Sequence, residues 1–177
     1  MSAQRQILVA GVGNIFFGDD AFGSEVAREL LRERRPWPPN VRLEDFGIRT
    51  YDLAYAIMDG SDTVLIDAVP RGHAPGTVYL IEPDLQNLGA ATPDGHTMNI
   101  VNVLKMVESL GGQAGKLLLV GCEPMVLETD DGHLGLSAPV QAAVPEAIAL
   151  VERVVADLLY DKNPIRPALA ETLKETH

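Results

Sequence analysis

The sequence predicts a single-domain α/β protein: a three-layer α/β/α sandwich with a mostly parallel twisted sheet and one antiparallel strand. Three observations favour this fold class. Segments with the period of an amphipathic helix alternate along the chain with short apolar runs. The run Gln6–Gly11 is almost wholly apolar, which is typical of a strand buried on both faces of a parallel sheet. One link between neighbouring strands is too short for a parallel crossover, so that pair is expected to be antiparallel.

The first predicted elements are a strand and the helix that follows it. The strand Gln6–Gly11 stops at a glycine, and the helix is expected over Ala21–Arg35. Phe22, Val26 and Leu30 recur at helical spacing and form one apolar stripe. A proline-rich segment directly after this helix ends the pattern.

The remaining elements follow from the same two periodicities. Further strands are expected at Val41–Asp45, Thr63–Val69, Gly76–Ile81 and Lys116–Val120, and further helices at Tyr51–Met58, Thr97–Leu110 and Ala138–Leu159. Thr63–Val69 has the strongest strand pattern, so we expect it to be central, and the short link after it predicts a hairpin with Gly76–Ile81. The last helix is expected to be continuous or broken near Pro145. Residues 1–160 are expected to form the domain, and 161–177 a flexible tail.

Composition and charge exclude several classes of protein. The chain has 177 residues and a net charge of −11, so binding to nucleic acid or to an anionic membrane surface is not expected. Its apolar runs are well short of the ~20 residues that span a bilayer, and no secretory signal pattern opens the sequence. The single cysteine, Cys122, precludes an intrachain disulfide and a zinc site of several thiolates. We therefore expect a cytoplasmic protein.

Polar residues at the strand ends predict a site, because ligands of parallel sheets bind at the carboxyl edge. Asp20 follows the first strand and Asp67 ends the strongest one. His96 precedes a helix that runs back against the strands, so this helix begins at the same edge. Two carboxylates and an imidazole are therefore expected to converge, and such a set suits zinc, nickel, iron or manganese. A general base could come from Glu44, Glu82 or Glu123, and nothing in the sequence selects one of them.

Each of these residues also has a structural interpretation. An aspartate at a helix start is commonly an N-cap, so one residue of the pair Asp19 and Asp20 is expected to cap and to leave the other available. Asp67 lies within an apolar strand and needs a partner, a metal or backbone donors. His96, taken alone, is typical of a surface residue beside a helix.

Two other functions can be weighed from motifs in the chain. Gly11-x-Gly13-x-x-Phe16 departs from the dinucleotide-binding fingerprint, because phenylalanine replaces the third glycine. Cys122 follows the last strand and could act as a nucleophile with His96, although a free cysteine is more often a small buried side chain. No Gly-x-Ser-x-Gly motif of a serine hydrolase is present.

The segment that follows the first strand carries a family resemblance. Gly-Val-Gly-Asn-Ile-Phe-Phe-Gly-Asp-Asp-Ala-Phe-Gly, residues 11–23, resembles the GxGNxxxxDDxxG signature of [NiFe]-hydrogenase maturation endopeptidases. The contexts Ile66-Asp67-Ala68 and Val120-Gly-Cys-Glu-Pro124 agree with it. The similarity extends from about Ile7 to Leu159.

The resemblance implies a small monomeric α/β protease. Such a protease removes a C-terminal extension from the hydrogenase large-subunit precursor after nickel has been inserted. The metal-contacting residues of the family correspond here to Asp20, Asp67 and His96, and the two aspartates are the expected catalytic residues. The nickel is expected to be carried by the precursor, not held permanently by the protease.

The resemblance also implies where the substrate binds. Many members have a glycine-rich DGGTxG loop after the second strand, whereas this chain has Asp45-Phe-Gly-Ile-Arg-Thr50. Gly47 keeps one flexible position of this loop, and Asn14, Gly47 and Arg49 are the expected substrate contacts. Two alternatives remain open: an escort that recognises the nickel-loaded subunit without cutting it, and a nucleotide-binding domain.

Overall fold

The computed structural model describes residues 4–84, 95–127 and 132–161. The strands are β1 (Ile7–Val12), β2 (Val41–Gly47), β3 (Asp62–Ala68), β4 (Val78–Ile81) and β5 (Leu117–Cys122). The helices are α1 (Phe22–Arg32), α2 (Thr50–Ile57), α3 (Gly95–Ser109) and α4 (Ala138–Leu159), and a short 3₁₀ turn, Gly18–Ala21, leads into α1.

The sheet has the strand order β2-β1-β3-β5-β4. The strands β1, β2, β3 and β5 are mutually parallel, and β4 pairs antiparallel with β5. Helices α1 and α4 cover one face, and α2 and α3 cover the other. The predicted fold class is therefore confirmed, and β3 is central as the apolar pattern indicated. All four parallel strands end at one edge of the sheet, which we call the carboxyl edge.

The predicted hairpin between the third and fourth strands is wrong. Strand β5 lies between them, with Gly121 beside Asp67 of β3 and Cys122 beside Val78 of β4. The segment after β3 crosses the end of β5, where the backbone N–H of Glu123 donates to Thr77 O at 2.8 Å. This arrangement buries the apolar strand β5 between two neighbours and leaves the short strand β4 at the edge.

Two apolar clusters hold the layers together. Phe22, Val26 and Leu30 of α1 are fully buried against β1, β3 and α4, which confirms the predicted stripe. On the other face, Ile57 of α2 and Val103 of α3 pack over the sheet. Both clusters meet the central strands, so the carboxyl edge rests on a rigid base.

Two helix ends differ from the sequence prediction. Helix α1 stops at Arg32 rather than Arg35, and Arg34 adopts the left-handed φ of 47°. Helix α4 continues through Pro145, which lies on its exposed side, where water can bond the carbonyl that the proline leaves unpaired. Among the described residues, no helix has the length and apolar character needed to cross a membrane. The predicted tail, 161–177, lies outside the described residues except for Asp161.

Candidate functional site

A cavity of about 470 Å³ opens at the carboxyl edge of the sheet. The predicted site residues that line it are Asn14, Asp20, Gly47, Arg49 and Asp67. They come from the segments after β1 and β2 and from the end of β3, so parallel strands bring distant parts of the chain to one place. Their roles remain predictions, but the sequence argument located the cavity.

Asp20 is held in the 3₁₀ turn before α1 by a close approach of two loops. Its Oδ2 accepts the backbone N–H of Asn14 at 3.0 Å. Gly13, with φ 144°, lies against this turn, and a Cβ at Gly13 would be only 1.8 Å from the carbonyl oxygen of Asp20. A side chain at this position would therefore displace Asp20 from the cavity.

Gly23 lets the start of α1 lie directly on the sheet. A Cβ at Gly23 would be 1.9 Å from Ile66 O and 2.3 Å from Val12 O. This contact sets the turn that carries Asp20 beside the end of β3, where Asp67 lies. Close helix–strand contact is the role of the third glycine in dinucleotide-binding loops, and here Gly23 supplies it, whereas Phe16 is 61% exposed.

Asp67 is a carboxylate whose surroundings disfavour its charge. Burial raises the pKa of Asp67 well above the ordinary value, the negative charge of Asp20 raises it further, and a hydrogen bond from Ala68 partly opposes both. That bond joins the Ala68 N–H to Asp67 Oδ1 at 2.8 Å. Two neighbouring carboxylates that repel each other favour uptake of a proton or of a cation. The pair can therefore hold a proton at Asp67 or contribute oxygen ligands to a metal.

Asp19 has a structural role, as one residue of the aspartate pair was expected to have. Its carboxylate is fully buried and accepts the backbone N–H groups of Met125, Val126 and Ser137 at 2.7 to 2.8 Å. Burial would raise the pKa of Asp19, but the hydrogen bonds from Val126, Ser137 and Met125 lower it below the ordinary value. Ser137 is the N-cap residue of α4, so Asp19 ties the beginning of α4 and not that of its own helix.

His96 is the second residue of α3 rather than the residue before it. Ile100, four residues later, lines the cavity, so the backbone of α3 begins beside the site. The side chain of His96 lies outside the described residues, and its predicted role as a metal ligand stays a prediction. Within the described ranges, no group of three or more His, Cys, Asp and Glu side chains is arranged to hold a metal ion.

The loop after β2 forms another wall of the cavity. Gly47 has a left-handed φ of 54°, and its carbonyl accepts the N–H of Gly13 at 3.0 Å, which joins this loop to the one after β1. Arg49 lies beside the ring of Phe46, 5.7 Å from its centre, and donates to Asp52 at 3.0 Å. The guanidinium of Arg49 is therefore held at the cavity by Phe46 at the end of β2 and by Asp52 in the first turn of α2.

The residues offered as a general base or as a nucleophile do not line the cavity. Glu44 pairs with Arg42 at 3.1 Å, Glu82 lies 3.7 Å from Lys116, and Glu123 accepts hydrogen bonds from a neighbouring turn. Cys122 is buried in the core. Burial, with the nearby charge of Asp19, raises the pKa of the Cys122 thiol to about 12, so the side chain is an unreactive thiol at neutral pH.

Sequence reasoning missed one wall of the cavity, the segment Val69-Pro70-Arg71 that follows β3. A cation four residues after the strand-end Asp67 was the available signal. This signal could not be interpreted without the fold. The predicted hairpin would place the segment along the edge of the sheet, whereas in the structure the segment crosses the end of β5.

Comparisons with known proteins give a consistent result. Residues 25–154 match the family model described as HycI, hydrogenase maturation protease. The chain is 33% identical over 153 residues to the hydrogenase expression/formation protein HupM of Azotobacter chroococcum, with 85% of this chain and 72% of that protein covered. It is 32% identical over 154 residues to a putative hydrogenase maturation protease of Methanocaldococcus jannaschii, covering 84% of this chain and 95% of that one.

A solved structure agrees with these sequence matches. The hydrogenase maturating endopeptidase HybD from E. coli superimposes with a TM-score of 0.71 and 28% identity. The superposition covers 86% of this chain and 91% of HybD. The likeness therefore extends over most of both chains.

Proposed function

This chain belongs to the hydrogenase maturation protease family, and we propose that it removes the C-terminal extension of a [NiFe]-hydrogenase large-subunit precursor after nickel has been inserted. The observation that carries the proposal is the meeting of the Asp20 and Asp67 carboxylates at one cavity. Asp20 and Asp67 are the only acidic residues among the described residues that line the cavity. A peptidase that recognises a metal ion on its substrate requires side chains that can bind this ion, and carboxylates can serve as such ligands.

Asp20, Asp67 and His96 would contact the nickel of the precursor. The metal arrives already bound by the substrate, so the protease needs only a few additional ligands. A nickel-free precursor would lack these contacts and would bind more weakly, which makes the protease selective for the loaded form. The nickel ion would supply a positive charge that polarises the scissile carbonyl or a water molecule.

The proposed catalytic work of this chain lies with its two aspartates. Because burial and the charge of Asp20 raise the pKa of Asp67 well above its ordinary value, Asp67 can bind a proton more readily than an exposed carboxyl group and can release it when a cation approaches. Asp20, fixed by the Asn14 N–H, would provide a second oxygen ligand and orient the incoming segment. Asn14, Gly47 and Arg49 would contact the backbone of that segment.

The rim of the cavity supports a macromolecular substrate. Large apolar side chains with more than half of their surface exposed lie in the segments that follow β1, β2 and β5, and one of them, Ile48, lines the cavity: Phe16, Ile48, Tyr51, Tyr55, Met125 and Leu134. Exposed apolar groups around a cavity are typical of protein-binding surfaces. A folded large subunit could cover this rim while its C-terminal segment enters the cavity.

We further propose that the protease acts as a cytoplasmic monomer, which is sufficient for one cavity to receive one precursor.

Mass spectrometry of the precursor tests the proposal. Nickel-loaded precursor is expected to lose a short C-terminal peptide when it is incubated with the protein, whereas nickel-free precursor keeps its mass. An unchanged mass together with a stable complex would instead show the escort function. Glu108→Gln is a suitable control variant, because Glu108 is exposed on α3 and does not line the cavity. This variant should process the precursor at the wild-type rate.

The proposed source of the nickel has its own test. Two carboxylates and one imidazole lack the thiolates that hold nickel tightly, so the isolated protein should purify with little nickel. The nickel content of protein purified without chelator and then dialysed is the measurement. A full equivalent retained through dialysis would show a resident metal and would contradict recognition through the substrate's ion.

A further inference from the structure

Arg71 places a positive charge on the cavity wall that the described residues leave without an anionic partner. Its guanidinium lies 5.6 Å from the centre of the Tyr79 ring, which is a cation–π contact, and forms no ion pair within the described part of the chain. Arg49, the other cavity arginine, is bound by Asp52 and lies near Glu44. Because the chain has a net charge of −11, the positive charge of Arg71 contrasts with the charge of the protein as a whole.

A buried carboxylate holds the turn that carries Arg71. Glu123 is only 5% exposed, and its side chain accepts the backbone N–H groups of Arg71 at 2.8 Å and Gly72 at 3.2 Å. The Tyr79 hydroxyl donates to the same carboxylate at 2.6 Å. Burial and the bond to Glu123 raise the pKa of Tyr79, so its phenol stays protonated and remains a donor. Glu123 therefore fixes both the backbone of Arg71 and the ring beneath its guanidinium.

The cavity thus presents two charges of opposite sign at different places. The Asp20–Asp67 pair favours a cation, and Arg71 favours an anion. Arg71 follows Asp67 by four residues, so their Cα atoms are at most about 14 Å apart. An extended peptide covers the same distance with about four residues. A segment bound at the aspartate pair could therefore place a carboxylate at Arg71 within a few residues.

We propose that Arg71 binds a carboxylate of the precursor's C-terminal segment and thereby contributes to substrate selection. The inference rests on the proposed function, since the segment is that of the hydrogenase precursor. The carboxylate belongs either to an acidic side chain or to the chain terminus. Arg71 is a substrate-binding residue, and Glu123 is a positioning residue that acts through it.

Steady-state cleavage of the nickel-loaded precursor by Arg71→Gln tests the inference. KM is expected to rise about tenfold while kcat stays within about twofold, because a charged contact remote from the reacting bond is lost. Arg71→Lys keeps the charge and should recover most of the loss. The matched control is Arg34→Gln, an exposed arginine just after α1, at the opposite edge of the sheet, which should leave KM unchanged. An unchanged KM for Arg71→Gln would overturn the inference.

Changes in the precursor identify the carboxylate. Amidation of the chain terminus tests one source, and replacement of each acidic side chain of the segment by its amide tests the other. One of these changes should raise KM for the wild type as much as Arg71→Gln does, and should have no further effect on Arg71→Gln. A wild-type enzyme that is insensitive to every such change would also contradict the proposal.

A binding measurement separates this inference from the proposed function. Fluorescence anisotropy of labelled nickel-loaded precursor gives Kd whether or not cleavage occurs. Wild-type protein that binds without cutting would disprove the peptidase function, and an approximately tenfold weaker Kd for Arg71→Gln would still support the role of Arg71. Equal Kd values for the two proteins, or no binding by the wild type, would overturn it.

Discussion

Asp19 and Asp20 are neighbours in the sequence, but their carboxylates lie in different surroundings and bind different segments of the chain. Asp19 is buried and accepts hydrogen bonds from the loop after β5 and from the N-cap residue of α4. Asp20 lines the cavity, and its Oδ2 accepts the backbone N–H of Asn14 at 3.0 Å. The hydrogen bonds of Asp19 thus hold the 3₁₀ turn that carries both residues. Because the turn is held, the orientation of Asp20 toward the cavity is also fixed.

Asp19→Asn should destabilise the protein by roughly 2–4 kcal/mol, because at least one buried donor would lose its acceptor and the remaining hydrogen bonds would lose their charge. The free energy of unfolding from urea denaturation at pH 7 is the measurement. Asp20→Asn is the matched control and should have a smaller effect, since an amide oxygen can still accept the Asn14 N–H. Equal stability of Asp19→Asn and the wild type would contradict the structural role of Asp19.

The pH dependence of stability should reveal the same carboxylate. The pKa of Asp19 in the folded state lies below its ordinary value of 3.8, so its charged form is stabilised by folding. The stabilisation is fully present above that ordinary value and is lost as pH falls through the lower folded pKa. The difference in unfolding free energy between the wild type and Asp19→Asn should therefore be constant above about pH 5 and shrink below pH 4. A difference that grows on acidification would refute the assignment.

Cys122→Ala should leave precursor processing intact. The thiol is buried in the core, its Sγ donates to the Glu123 carbonyl at 3.7 Å, and its raised pKa of about 12 keeps it protonated. Loss of the sulfur should cost about 1 kcal/mol of unfolding free energy through a small cavity. The rate of precursor cleavage and the urea midpoint, measured on one preparation, check both statements. A folded but inactive variant would restore the cysteine-nucleophile interpretation.

Local sequence patterns were sufficient to locate the strands that carry the site. The apolar run around Ile66 predicted a central strand. Asp67 was notable within it because a buried charge is costly unless a partner, a metal or backbone donors compensate for it. The helical stripe that begins at Phe22 predicted α1, and thereby the turn that precedes it. Parallel pairing then implied that Asp20 and Asp67 share one edge. These inferences need only short-range periodicity and one rule of sheet topology.

Contacts between distant segments could not be predicted in this way. The partner of β4 is β5 and not β3, because the choice depends on where the later strand inserts. Arg71 is placed at the cavity by Glu123, which lies 52 residues further along the chain. The bond from Ser137 to Asp19 joins residues 118 apart. Periodicity within a short window contains no information on such pairs.

Asp20→Asn should lower the pKa of Asp67. The charge of Asp20 is one of two causes that raise the pKa of Asp67, and the other, burial, remains in the variant. The pKa should therefore move toward the ordinary value without reaching it. A ¹³C NMR titration of the Asp67 carboxyl carbon measures the change, and Glu108→Gln should give the wild-type curve. An unchanged pKa in Asp20→Asn would mean that the two carboxylates do not interact.

Asp67→Asn should abolish precursor cleavage, by at least about a hundredfold, without destabilising the fold. The amide keeps the acceptor oxygen for the Ala68 N–H but removes the negative charge that a metal ligand and proton carrier needs. The folded pKa of Asp67 is raised, so its favourable contribution is present below the ordinary pKa and is lost as pH rises through the folded value. At pH 7 the melting temperature of Asp67→Asn should therefore equal or exceed that of the wild type.

The deciding experiment measures melting temperature and precursor cleavage on the same preparation of Asp67→Asn. Glu108→Gln, which removes an exposed charge outside the cavity, controls for the loss of charge alone and should match the wild type in both. If Asp67 were only a structural acceptor, the result would be reversed: the variant would melt several degrees lower, yet its folded fraction would still process the precursor. That result would remove Asp67 from the proposed site and leave Asp20 without the neighbour that makes the cavity attractive to a cation.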